Sequence, residues 1–119
     1  MSEAEEVING TKSNDKFVLN IALNYGARTE IARAASLAVK NGEPVTPETV
    51  SKYLYTADIG DPELIIRTGG ELRLSNFMLF QAVYSELYFT KVMWPDFDEE
   101  EFDKALEDFS KRKRRFGGI

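Results

Sequence analysis

Phe17-Val18-Leu19-Asn20-Ile21-Ala22-Leu23 is an almost unbroken apolar run, and it constrains the fold more than any other part of the chain. A strand that shows one face to water alternates apolar and polar residues. A run without alternation is the pattern of a strand covered on both faces, as in a parallel sheet. Asn24-Tyr25-Gly26-Ala27-Arg28 breaks the run, after which Ile31, Ala34, Ala35, Ala38 and Val39 recur at helical spacing and Asn41-Gly42 stops the helix they predict. A strand leading into a crossover helix makes the chain α/β, a partial parallel sheet with flanking helices.

The rest of the chain fits that class. Residues 1–16 form a polar, acidic N-terminal segment, a frayed stretch or helix remnant, and residues 17–119 form the folded unit. Thr46-Pro47-Glu48-Thr49 supplies an N-cap with proline at the first helical position, so a short helix is predicted to about Tyr55. Leu64-Ile65-Ile66 predicts a short strand. From Phe77 to about Leu87 nearly every face is apolar, which predicts a buried helix, with Leu87-Tyr88-Phe89 a brief strand leading to Trp94-Pro95-Asp96-Phe97. The last helix carries Phe102, Ala105, Leu106 and Phe109 on one face, its acidic residues first and its basic residues last, as the helix dipole favours.

Between the Leu64 strand and Phe77 lies Arg67-Thr68-Gly69-Gly70-Glu71-Leu72-Arg73-Leu74-Ser75-Asn76. Arg67 is placed at the carboxyl end of a strand, where open α/β sheets bind ligands. Arg67 and Arg73 can each give forked donors to phosphate oxygens. Gly69 and Gly70 permit positive φ and let backbone N–H groups approach a ligand, and Ser75 or Asn76 is placed to cap the following helix, adding partial positive charge. The convergence points to a phosphorylated ligand.

Composition narrows the chemistry. The 119 residues carry a net charge of −5, which argues against bulk attraction to nucleic acid or an anionic membrane, so any phosphate site is local. Cysteine and histidine are both absent, which removes thiol chemistry, the usual zinc ligands and the usual neutral-pH base. No apolar run approaches the ~20 residues that span a bilayer. The chain reads as cytoplasmic, with no nucleic-acid partner.

Two further features carry open alternatives. Glu86 is a lone carboxylate in apolar surroundings; it is either ion-paired across an interface or a Mg²⁺ ligand, since one carboxylate with phosphate oxygens and water suffices for that ion. The Lys111-Arg112-Lys113-Arg114-Arg115 run reads as a solvated helix end, but Phe116-Gly117-Gly118 after it suggests a tail that docks.

Asn24-Tyr25-Gly26-Ala27-Arg28-Thr29-Glu30-Ile31, the Ile66 to Asn76 block, Gln81-Ala82-Val83-Tyr84-Ser85-Glu86-Leu87-Tyr88-Phe89, Trp94-Pro95-Asp96-Phe97 and Arg114-Arg115-Phe116-Gly117, in unbroken order, strongly resemble the cis-prenyltransferases, in particular the undecaprenyl diphosphate synthases. The resemblance implies a homodimer that joins isopentenyl diphosphate to an allylic diphosphate, such as farnesyl or geranylgeranyl diphosphate, giving a Z-polyprenyl diphosphate. It implies that Arg67, Arg73 and Ser75 hold isopentenyl diphosphate, that Glu86 binds Mg²⁺ with an aspartate from elsewhere, and that Arg115 and Gly117 belong to a tail reaching the diphosphate across the dimer. Asn24, Tyr25, Arg28, Gly69, Gly70, Glu71 and Asn76 support the site from behind. A lipid product makes transient membrane contact part of the expectation.

The chain also departs from the pattern. Leu72 stands where many relatives have histidine, Ala27 where a second glycine is usual and Phe80 where tryptophan is usual. No Asp-Gly-Asn-Gly-Arg-like stretch occurs, although the family's first half uses one for the allylic diphosphate and the metal. The expectation is therefore a carboxyl-terminal half that supplies the isopentenyl site, is inactive alone and works with a partner carrying the amino-terminal half. The alternative is a non-catalytic dimerisation or interaction subunit derived from the same fold.

Overall fold

The computed structural model describes residues 1–113, so Arg115 and Gly117 lie outside the described residues. In chain order the elements are α1 (Glu3–Thr11), α2 (Ala27–Lys40), α3 (Pro47–Tyr53), β1 (Leu64–Arg67), β2 (Glu86–Phe89) and α4 (Glu99–Lys111), with single 3₁₀ turns at Gln81–Tyr84 and Trp94–Asp96. The two strands pair in parallel, Leu64 with Glu86 through Arg67 with Phe89. The architecture is α/β.

Local chemistry accounts for most of these boundaries. Ser2 and Glu5 form a capping box that starts α1, which is exposed throughout. Thr46 caps α3 through Thr49, with Pro47 at the first turn, and Asp98 Oδ1 accepts from Glu101 N at 3.0 Å to start α4. Gly42, at φ 71°, turns the chain out of α2. Ala34 on α2 meets Val50 and Leu54 of the α3 region, with Tyr53 and Phe80 packed against that cluster.

Two expectations fail, each for a physical reason. Phe17–Leu23 is not a strand. A strand exists through its ladder, and among the described residues the only sheet is the β1–β2 pair, which leaves Phe17 90% and Leu23 83% exposed. The Phe77–Leu87 helix is also absent. Met78, just inside the expected helix, takes φ of 47°, which no right-handed helix accommodates, Ser75 and Asn76 before it stand at 50° and 64°, and only the Gln81–Tyr84 turn follows. Glu86 N then donates to Glu63 O at 2.9 Å, so the ladder with β1 claims the segment's end. The burial is inverted as well: Val83 is exposed, while Gln81, a polar residue of that stretch, is 1% exposed.

The buried stripe of α2 is Ala27, Glu30, Ala34 and Ala38, with Val39 turned to solvent. It is rotated from the apolar pattern so that a carboxylate faces inward.

Candidate functional site: the arginine loop and its supports

Arg67 ends β1, and its guanidinium is held in place from one side. Nη1 donates to Ser75 Oγ at 3.0 Å and also to the carbonyl oxygen of Arg73. Its Nη2 and Nε have no acceptor among the described residues. Arg73 pairs through Nη2 with the Glu71 carboxylate; both are largely exposed. These contacts bring Arg67, Arg73, Ser75 and Glu71 together in one loop.

The glycines act differently from expectation. Gly69 and Gly70 do take positive φ, 90° and 83°, but Gly69 N donates to Val92 O and Gly70 N to Thr90 O, each at 2.9 Å. Their N–H groups tie the loop to the chain after β2 and are not free for a ligand. Nor does a helix begin at Ser75 or Asn76, so no helix dipole is added there.

Asn76 instead caps a helix elsewhere. Its carbonyl accepts from Ala27 N at 2.8 Å and its Oδ1 from Arg28 N at 2.9 Å, which satisfies the start of α2, whose own N-cap Gly26 has no side chain. Asn24, exposed and at φ 49°, turns the chain into this junction. Tyr25 packs its ring edge-on to Phe77, with centroids 5.6 Å apart.

Behind the junction lies a polar cluster that reading the sequence missed. Glu30, 1% exposed, accepts from the Tyr25 hydroxyl, from Tyr55 N at 2.8 Å and from Gln81 Nε2 at 3.2 Å. Gln81 Nε2 also lies 3.1 Å from Thr56 Oγ1, while Gln81 Oε1 is buried without a partner among the described residues. Burial, reinforced by Glu30, pushes the Tyr25 hydroxyl up to about 12. The available signal was Glu30 itself, in phase with Ala27, Ala34 and Ala38. Beside the cluster a groove of about 1050 Å³ is lined by residues 18–24 with Tyr25, Glu30, Thr56, Phe77 and Met78.

Glu86 sits apart from the loop. It opens β2 opposite Leu64, whereas Arg67 lies opposite Phe89, three residues and about 10 Å further along the strands. Arg112 Nη1 donates to Glu86 Oε2 at 3.1 Å and to Leu87 O at 2.9 Å, and Arg112 Nε donates to Asp108 Oδ2 at 2.8 Å. The two carboxylates raise the Arg112 pKa from its ordinary value, Glu86 contributing first. Glu86 is thus ion-paired within the chain, where the expectation was a pair across an interface or a Mg²⁺ ligand, and Arg112 is not merely a solvated helix end. No group of three or more His, Cys, Asp or Glu able to hold a metal occurs among the described residues.

Comparison with known proteins matches residues 1–117 to a prenyltransferase family described as undecaprenyl diphosphate synthase. The isoprenyl transferase of Fusobacterium nucleatum is 57% identical over 118 residues, covering 98% of this chain and 51% of that protein. The isoprenyl transferase of Bacillus subtilis is 54% identical over 122 residues, covering 97% and 47%. A crystal structure of lavandulyl diphosphate synthase from Lavandula x intermedia, in complex with dimethylallyl diphosphate, superposes with a TM-score of 0.87 at 33% identity, covering 95% of this chain and 52% of that one. A probable undecaprenyl diphosphate synthase from Campylobacter jejuni gives 0.84 at 33% identity, covering 98% and 58%. The chain spans about half the length of these relatives.

Proposed function

Since the chain belongs to the undecaprenyl diphosphate synthase family of prenyltransferases, we propose that it supplies the isopentenyl diphosphate site of a cis-prenyltransferase, which adds isopentenyl units to an allylic diphosphate such as farnesyl or geranylgeranyl diphosphate. The observation that carries this reading is the Arg67 guanidinium. Ser75 Oγ and the Arg73 carbonyl orient it at a strand's carboxyl end, and its remaining donors have no acceptor among the described residues. A diphosphate oxygen pair fits that fork, with Arg73 and the Ser75 hydroxyl beside it. Arg115 and Gly117 join the proposal by resemblance alone.

The contribution of these residues is positional. Fixed donors neutralise the diphosphate of isopentenyl diphosphate and leave its alkene free to attack an allylic cation, which turns an encounter into an oriented step. No side-chain nucleophile is required, and the released diphosphate can accept the proton in a chain without histidine.

Magnesium belongs to the proposal through the resemblance, and Glu86 as it stands does not fit the role. Its Oε2 faces the Arg112 guanidinium, and about 10 Å of strand separates its level from that of Arg67. No step is therefore assigned through it. A homodimer, or a partner carrying the amino-terminal half, completes the reading; so does a cytoplasmic location with transient membrane contact. Among the described residues no helix is long and apolar enough to cross a membrane.

The exposed run at residues 17–23 favours a second reading, a non-catalytic interaction subunit that associates through those residues. Turnover separates the two. With labelled isopentenyl diphosphate, farnesyl diphosphate and Mg²⁺, the chain alone yields no product. Adding the amino-terminal half of a full-length relative yields Z-polyprenyl diphosphate, and Arg67→Ala removes it. Product from the chain alone contradicts the half-site reading, and a mixture in which Arg67→Ala changes nothing favours the interaction subunit.

A further inference from the structure

We propose that Asn76 is a positioning residue for the diphosphate site: it latches the arginine loop onto the start of α2, so that loop geometry and helix capping are one coupled unit. The proposal rests on reading the Arg67 loop as that site. Asn76 is gripped on both flanks. Before it, Ser75 accepts from Arg67 Nη1 at 3.0 Å; after it, Phe77 meets the Tyr25 ring. Asn76 itself accepts from Ala27 N and Arg28 N at 2.8 and 2.9 Å.

The backbone shows that this arrangement is imposed. Ser75 and Asn76 stand consecutively at φ 50° and 64°, a region that non-glycine residues enter at a cost and hold only when the surroundings over-determine it. Two bonds from α2 supply that determination. Gly26 completes the fit, because a Cβ there would lie 3.0 Å from Asn76 Nδ2. The absence of a side chain at the helix's own N-cap is what lets a residue 50 positions further on do the capping. Relaxing Asn76 frees Ser75, and with it the group that aims Arg67.

Helix capping and loop positioning can be pulled apart, because Gly26 has φ −146° and ψ 127°, extended backbone open to any residue. The full chain is titrated with inorganic pyrophosphate by calorimetry, its thermal midpoint is recorded, and amide exchange is followed at Leu74–Phe77. Asn76→Ala lowers the midpoint by about 4–8 °C, as loss of a cap does in a domain near this size. It also weakens pyrophosphate binding about tenfold, a coupling of ordinary size between adjoining sites. Adding Gly26→Ser to Asn76→Ala gives α2 its own cap. The midpoint then recovers, while binding stays weak and exchange at Leu74–Phe77 stays fast. Recovery of binding along with the midpoint overturns the proposal, since Asn76 would then be only a cap.

Should the double variant not fold, Gly26→Ala reads the same latch with Asn76 intact. Its Cβ forces the amide aside, weakening binding about threefold on the same coupling argument and lowering the midpoint as the cap is disturbed; unchanged binding overturns the proposal. Arg67→Ala separates the two levels. If it binds pyrophosphate like the parent, or if the parent binds none, the diphosphate reading fails and this proposal with it. If it loses binding while Asn76→Ala/Gly26→Ser keeps it, only the role of Asn76 fails.

Discussion

Arg112 Nη1 and Glu86 Oε2 stand 3.1 Å apart, so the residue that caps the carboxyl end of α4 holds the residue that begins β2. The same guanidinium reaches the Leu87 carbonyl and Asp108. α4 is strongly amphipathic in sequence, yet Phe102 and Leu106 are substantially exposed and only Ala105 is fully buried. The ion pair is one tie between this helix and β2.

Arg112→Gln is expected to lower stability by about 2 kcal/mol, the scale of hydrogen bonds to charged groups at a partly buried site. Glu86→Gln costs about 1 kcal/mol, and the double variant costs less than the two together, because they share one interaction. Urea unfolding of the four proteins measures this. Strict additivity would show that the pair contributes nothing.

Tyr25 gives a pH signature. Its hydroxyl is raised from 10.0 to about 12 by burial and then by Glu30. A group whose folded pKa lies above its unfolded one contributes stability that is complete below about pH 10 and is lost as the pH rises through about 12. Ultraviolet difference titration of the parent against Tyr25→Phe isolates this group from Tyr53, which Glu43 also raises. Stability that falls more steeply across this window in the parent than in Tyr25→Phe is the expected result, and equal slopes would contradict it.

Glu30 tests the buried cluster. Glu30→Gln keeps the shape and one acceptor oxygen and is expected to cost about 1–2 kcal/mol. Glu30→Leu strands Tyr55 N–H, the Tyr25 hydroxyl and the Gln81 amide and is expected to cost about 3 kcal/mol or more. Denaturation midpoints rank the two. Equal costs would mean that the carboxylate's volume matters and its bonds do not.

The sequence carried the elements whose chemistry is local. Thr46-Pro47, Asp98 and Asn41-Gly42 mark helix ends through capping and turn preferences confined to a few residues, and Leu64–Arg67 with its flanking arginine loop could be read the same way. What failed depends on long-range partners. The apolar run at residues 17–23 has a strand's composition but no neighbour to pair with among the described residues, and Phe77–Leu87 has a helix's composition but is claimed by a ladder and broken by the left-handed Met78. At the site, Arg67, Arg73, Ser75 and Glu71 came from one contiguous stretch and were legible. Asn76 on α2, Gln81 on Glu30 and Arg112 on Glu86 span 48, 51 and 26 residues, distances at which a single sequence has no pattern to show.

The exposed run makes its own prediction. Leu19→Glu with Leu23→Lys removes two apolar side chains that are 85% and 83% exposed, so stability should move by no more than about 0.5 kcal/mol. Association with the amino-terminal half of a relative, measured by light scattering, should be lost. A clear loss of stability would show that these residues are packed in solution.

The central claim is that the Arg67 loop holds a diphosphate, and equilibrium binding of isopentenyl diphosphate to the full chain tests it most directly. Calorimetry should show saturable binding that Arg67→Ala abolishes and that Arg67→Lys does not restore, because a point charge cannot replace the oriented fork. Binding that is equal in all three proteins, or absent from the parent, would contradict the account.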